Sequence, residues 1–315
     1  MARRVPFTVV SPSRISGEFV LRLLLGVFIF LVVILIGLAG VGAALTYHVI
    51  TASSSQEAVN PQSYLLNSYF PLNFTDRNGG EHEGWLLLGL RRAPVIILCH
   101  GYDSNRSDLL SLGTILRDNH FNVYLFNFHG PKAKESSSNL GPRQASDLLA
   151  AIETLTKQPD INPSRVGLFG MSVGGYAALE AGELNSKVRA LVVDTTYSSP
   201  ERMFDSEIER ILGGSSGVFH VLTDAEFHFA AMRGDSYSVP ANLPKLANVP
   251  KLFISGRDNP SMAAMTEALY EEAPQPKRLL VMEHSESGLA VETEKKEYED
   301  QILNFFLRNL SLRAD

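Results

Sequence analysis

The sequence predicts an α/β fold, in which a mainly parallel sheet flanked by helices and carrying a small cap insertion lies behind an N-terminal transmembrane helix. Three observations predict it. Short apolar runs alternate with helix-period segments from Trp85 to the C-terminus, the pattern of βαβ units. Those runs show little polar alternation, as expected of parallel strands covered on both faces. Ahead of them stand 23 consecutive uncharged residues, Leu23–Leu45.

The apolar run comes first in the chain. As a helix it spans about 34 Å, enough to cross a bilayer core. Arg3, Arg4, Arg14 and Arg22 precede it with a single acid, Glu18, and no Lys or Arg follows until Arg77. The positive-inside rule then places residues 1–22 in the cytoplasm, the anchor at 23–46, and the rest of the chain outside. A cleaved signal sequence is the alternative, but signal h-regions are shorter than this run. Residues 47–64 are rich in Ser, Ala, Gln and Asn and read as a linker. The domain proper is 65–315.

Within it, Trp85–Leu90, Val95–Cys99, Val123–Phe128, Val166–Phe169, Val188–Asp194, Leu252–Ser255 and Leu279–Met282 read as strands. Helical spacing covers Leu109–Asn119, Ser146–Lys157, Val173–Ala181, Met262–Glu272 and Lys295–Leu310. Residues 200–250 break the alternation with Gly213-Gly214 and three scattered prolines, and read as the cap. The net charge is −6, from 28 Lys+Arg against 34 Asp+Glu, and argues against a nucleic-acid footprint. The anchor region is net positive, so the remainder carries −9. One cysteine, Cys99, excludes an internal disulfide and a multi-cysteine metal cluster. No metal-ligand spacing and no phosphate or dinucleotide fingerprint appears, so neither metal nor cofactor is expected.

The chemical signal is Gly170-Met171-Ser172-Val173-Gly174-Gly175, a G-x-S-x-G set between a strand and a helix of small residues. A serine on so tight a turn is held in a strained backbone conformation with its hydroxyl exposed. A Cβ at Gly170 or Gly174 would clash with the turn. The helix beneath presents unpaired N–H groups to developing negative charge. Ser172 is the candidate nucleophile. An oxyanion hole needs two backbone donors aimed at one point; Val173 supplies one and Tyr102, in His100-Gly101-Tyr102-Asp103 after the strand Val95–Cys99, supplies the other. His100 reads as a structural residue shaping that loop. Of the eight histidines, His284 alone follows a late strand and opens a loop, and is the candidate base. Asp258, after the preceding strand, is the candidate acid, giving the chain order Ser172, Asp258, His284.

These residues resemble those of the α/β-hydrolase superfamily of serine hydrolases. The sequence is similar to membrane-anchored α/β-hydrolase-domain proteins and to prolyl-oligopeptidase-like and dienelactone-hydrolase-like sequences. The resemblance covers about residues 65–310 and rests on VIILCHGYDSNRSDL, INPSRVGLFGMSVGGYAALEA, VPKLFISGRDNP and RLLVMEHSESG. It implies a membrane-anchored esterase acting on a small-molecule ester or acyl substrate. A peptidase or amidase, or a non-catalytic scaffold binding a partner or lipid, stays open. Two departures stand out. Gly256 is followed by Arg257-Asp258-Asn259, one residue short of the family's Gly-x-x-Asp; a strict register puts Asn259 at the acid position and makes Asp194 the fallback acid. Glu283 stands where a small residue usually precedes the histidine, and reads as pointing to solvent.

Overall fold

Parallel strands leave their carboxyl ends on one edge of a sheet, and in this chain that edge carries the chemistry. The computed structural model describes residues 17–51, 57, 59–64, 69–128, 140–213, 239–284 and 292–312, and the single positions 217, 221, 223, 224 and 227. Among them an eight-stranded sheet runs in the order β1-β4-β6-β5-β7-β8-β9-β10. Its strands are β1 (Tyr69–Pro71), β4 (Gly84–Leu87), β5 (Val95–Cys99), β6 (Asn122–Phe126), β7 (Val166–Met171), β8 (Val188–Asp194), β9 (Lys251–Gly256) and β10 (Lys277–Met282). The pairs β1/β4 and β4/β6 are antiparallel; every pairing from β6 to β10 is parallel. A separate hairpin joins β2 (Phe74–Thr75) to β3 (Glu81–His82).

Strand β5 shows why the runs are apolar throughout. Val95, Ile97 and Cys99 join the core cluster of α3 (Pro142–Leu155) and α4 (Val173–Leu184), with Leu148, Ala151, Ala177 and Ala178. Ile96 and Leu98 join the opposite cluster with Leu112 and Leu116 of α2 (Leu110–Asp118) and with Ile302 and Phe306 of the last helix, Glu292–Asn309. A side chain such as Ile96 or Leu98, wholly buried, contributes about 1.5–3 kcal/mol. Burial of Cys99 pushes its thiol pKa up, so it behaves as a small apolar residue.

The helix α1 (Gly17–Ile50) is longer at both ends than the run Leu23–Leu45 and is apolar and exposed over most of its length. It is long and apolar enough to cross a membrane, as an anchor or as a signal sequence. Only Gly42, Thr46 and Val49 are buried, near the end that packs on α5 (Pro200–Leu212). The first helix of the expected cap is therefore α5, with Pro at its first turn and Gly213 (φ 64°) ending it in the left-handed conformation. Most of 214–238 lies outside the described residues.

Candidate active site

Ser172 occupies the single residue between β7 and α4, at φ 48° and ψ −113°. A non-glycine residue there is strained, and the surroundings hold it. Its N–H donates to the Asp194 carbonyl at 2.9 Å, its carbonyl accepts from the Tyr176 N–H at 3.0 Å, and the Thr196 hydroxyl donates to the same carbonyl at 3.2 Å. The flanking glycines are required by space. A Cβ on Gly170 would fall on the Gly174 carbonyl, and one on Gly174 would meet the backbone carbonyls of Cys99 and His100. The second contact brings the start of α4 against the loop that follows β5, the loop from which Tyr102 comes.

That loop is shaped by His100. The Phe128 N–H donates to His100 Nε2 at 3.3 Å, so Nδ1 carries the proton and donates to the Gly101 carbonyl at 2.9 Å. Asn105 closes the next turn with a reciprocal cap: its side chain accepts from Ser107, and Asp108 accepts from the Asn105 N–H. The Tyr102 hydroxyl donates to the Val49 carbonyl at the end of α1, at 2.8 Å. Burial raises the Tyr102 phenol pKa.

Ser172 is 3% exposed and lines a cavity of about 580 Å³. Leu109, Leu112, Met171, Met203 and Met262 give the cavity an apolar wall. Tyr102, Tyr298 and the ion pair Glu207–Arg210 of α5, 2.7 Å apart, give it polar groups. The Glu207 carboxylate holds the Arg210 pKa above its ordinary value.

The other two expected triad residues follow β9 and β10, at the same edge of the sheet as Ser172. His284, directly after β10, is about half exposed, and its Nδ1 is 2.8 Å from Glu294 Oε2, a residue of the last helix. Glu294 makes the contact to Nδ1 that chain order expects of an acid. Asp258 is exposed on the turn after β9. The shortened loop explains this. Asn259 follows at once, its side chain accepts from the Met262 N–H at 3.2 Å, and it caps the helix α6 (Pro260–Glu272) while lining the cavity. The loop spends that position on a cap, and Asp258 beside it is exposed. Residues 285–291, which link His284 to its partner helix, lie outside the described residues. Glu283 forms a surface ion pair with Arg257, both about two-thirds exposed. Asp194, the fallback acid, is fully buried; it accepts from the Thr195 hydroxyl at 2.7 Å and the Tyr298 hydroxyl at 2.5 Å.

Sequence reasoning missed Glu294 and Tyr298. Both sit in a charged, helix-forming segment, ETEKKEYED, that reads as a solvated face.

Comparison with known proteins agrees with this architecture. Residues 115–224, which include Ser172, match the prolyl oligopeptidase family. The uncharacterised protein YfhR of Escherichia coli O157:H7 is 28% identical over 251 residues, covering 76% of this chain and 81% of that one. Among solved structures, an esterase from Pyrococcus furiosus superposes with a TM-score of 0.66 at 17% identity, over 84% of this chain and 99% of its own. A dipeptidyl peptidase 4 from Porphyromonas gingivalis gives a TM-score of 0.58 at 17% identity, over 81% of this chain and 38% of its own. With the sheet order, the strand–serine–helix turn and these likenesses together, the chain has the α/β-hydrolase fold.

Proposed function

We propose that the chain is a membrane-anchored serine hydrolase that cleaves carboxylic esters through an acyl-enzyme on Ser172. The observation that carries this reading is the strained Ser172 backbone (φ 48°, ψ −113°) at the head of α4, on the wall of the 580 Å³ cavity. In the proposed reaction Ser172 Oγ attacks the ester carbonyl as His284 Nε2 takes its proton. The Tyr102 and Val173 N–H groups receive the oxyanion. His284 returns the proton to the departing alcohol, and water then releases the acid by the same route. A carboxylate at Nδ1 keeps the imidazole in the tautomer that leaves Nε2 free to accept. Glu294 is the carboxylate hydrogen-bonded there, and Asp258 is the alternative from chain order. The apolar wall suits an acyl chain.

The anchor reading rests on α1 and the arginines ahead of it, and places the catalytic domain on the extracytoplasmic side. Retention of the full chain in membranes after carbonate washing, with the domain protected from protease added on the cytoplasmic side, tests both points.

A fluorophosphonate probe tests the chemistry. The full chain in detergent should label covalently, and Ser172→Ala should abolish labelling and lower ester turnover at least ~10⁴-fold. Folded wild-type protein that does not label would end the esterase reading and leave the non-catalytic scaffold. Peptide amides are the second substrate reading, favoured by the prolyl oligopeptidase match over 115–224. Faster turnover of peptide anilides than of p-nitrophenyl esters would transfer the assignment to a peptidase.

A further inference from the structure

Away from the cavity, three titratable side chains meet inside the protein. They are Asp76, in the turn of the β2–β3 hairpin, His82 on β3, and Asp147 on α3, all buried. One candidate ligand atom from each lies within 4.8 Å of the other two. We propose that Asp76, His82 and Asp147 bind one divalent transition-metal ion of the Mn²⁺–Zn²⁺ class, which staples the hairpin to α3.

The local sequence builds each donor for this. Asp76 Oδ1 accepts from the Asn78 N–H at 2.7 Å and the Gly80 N–H at 2.8 Å, which fixes the carboxylate and leaves Oδ2 to face His82 Nε2 at 3.2 Å. A Cβ at position 80 would press on that same Oδ2 at 2.5 Å, so glycine is needed there. The His82 ring stacks on Phe74, with centroids 4.6 Å apart and planes 5° apart. Its Nδ1 lies 3.1 Å from the Asn127 carbonyl, an acceptor only. The Nδ1 proton is thereby assigned, and in a metal-bound form Nε2 would present its lone pair to the ion between the two carboxylates. A ring nitrogen anchored on a carbonyl while the other is free toward oxygen donors is the usual arrangement of a metal-bound histidine.

Two further observations point to a cation. Asp147 Oδ2 is buried with no hydrogen-bond partner among the described residues, while Oδ1 stands 3.7 Å from His82 Nε2, beyond hydrogen-bond reach. A buried carboxylate oxygen without a hydrogen bond is costly. The charges also balance. Two carboxylates, a neutral imidazole and a divalent ion sum to zero, with the Arg143 cation also acting on Asp147. The spacing fits as well, since metal–ligand bonds of 2.0–2.1 Å in a tetrahedron separate the donors by about 3.3 Å. The observed 3.2 and 3.7 Å lie on either side. One imidazole among oxygens favours Zn²⁺ or Mn²⁺ over Ca²⁺ and Mg²⁺.

The expectation of no metal came from sequence spacing. The donors at 76, 82 and 147 come from a hairpin and a distant helix, and no linear motif records them. A hairpin of two residues per strand cannot hold itself, so the ion's role would be structural. None of the three residues lines the Ser172 cavity.

The test uses the full-length, untagged chain in detergent. After chelator treatment, addition of Zn²⁺ or Mn²⁺ should restore one ion per chain by elemental analysis. It should also raise Tm by about 5 °C or more at a hundredfold excess over Kd. Asp147→Asn, which keeps the shape, should weaken binding at least ~100-fold and cancel the Tm rise, while Glu153→Gln, exposed on the same helix, should change neither. X-ray absorption of the zinc form should show one imidazole and otherwise oxygen. Fluorophosphonate labelling of Ser172 should persist in Asp147→Asn, so this proposal and the esterase reading fail separately. Wild-type chain that takes up less than about a tenth of an ion of either metal overturns the proposal, as does unchanged metal binding in both Asp147→Asn and His82→Gln.

Discussion

Ser172 and His284 follow two parallel strands of the same sheet, yet they are held in opposite ways. Ser172 is 3% exposed and fixed by backbone: its N–H on the Asp194 carbonyl, its carbonyl taken by Tyr176 and Thr196, and glycines pressed against neighbouring carbonyls. The His284 side chain is 45% exposed and, among the described residues, has one hydrogen bond, from Nδ1 to Glu294, ten residues on. The difference teaches where each half of a catalytic site comes from. The proposed nucleophile is positioned by sterics within a few residues of itself and by close packing on the next strand. The proposed base is positioned by a tertiary contact between a strand end and a helix.

The largest expected effect breaks the nucleophile side. Gly174→Ala drives a Cβ into the carbonyls of Cys99 and His100, neither of which can rotate away. It should cost about 2–4 kcal/mol in chemical denaturation and abolish fluorophosphonate labelling. Normal labelling would mean that the elbow is looser than its packing implies.

On the histidine side the loss should fall on chemistry alone. Glu294→Gln should lower kcat/KM for p-nitrophenyl esters by about 10–100-fold with Tm unchanged, and by more than Asp258→Asn does. The reverse order would return the orienting role to Asp258.

A smaller effect probes the helix that carries the elbow. Glu180, buried on α4 with one carboxylate oxygen lacking a hydrogen-bond partner among the described residues, has its pKa raised by burial from 4.5 to about 7. The folded state then holds the proton more tightly than the unfolded chain, so Glu180 lowers stability as pH rises from about 4.5 to 7. Glu180→Gln should flatten that decline and gain about 1–2 kcal/mol at pH 8 over its value at pH 4, relative to wild type. Parallel pH–stability curves would sink the assignment.

The smallest effect concerns the contact between the loop after β5 and α1. Tyr102→Phe removes the bond to the Val49 carbonyl but keeps the backbone N–H offered to the oxyanion. Stability should fall by about 1 kcal/mol and kcat by less than about threefold. A hundredfold loss of kcat would show that the contact with α1 also sets the oxyanion loop.

How much was legible follows the same division. Val95–Cys99 and Val188–Asp194 were read at their observed bounds, because an apolar run between turn signals has few other ways to be buried. The β2–β3 hairpin was not read at all; strands of two residues carry no periodicity. The strand–serine–helix turn was visible from Gly170-Met171-Ser172-Val173-Gly174, since its causes lie within five residues. Glu294 on His284 is not legible in the same way, because chain order points to the short loop Arg257-Asp258-Asn259-Pro260, where Asn259 caps the next helix.

By itself the sequence determined the layered sheet, the apolar N-terminal helix and the serine on its tight turn. Each of these depends on residue type and short-range spacing, and backbone sterics and burial act over that range. Only the tertiary structure decided that Glu294 reaches His284, that Tyr298 closes on Asp194, and that Asp76, His82 and Asp147 converge. Those contacts join residues that the chain keeps 10, 104 and up to 71 positions apart. No local pattern encodes such pairings, because the free energy that brings them together is that of the whole core closing around them.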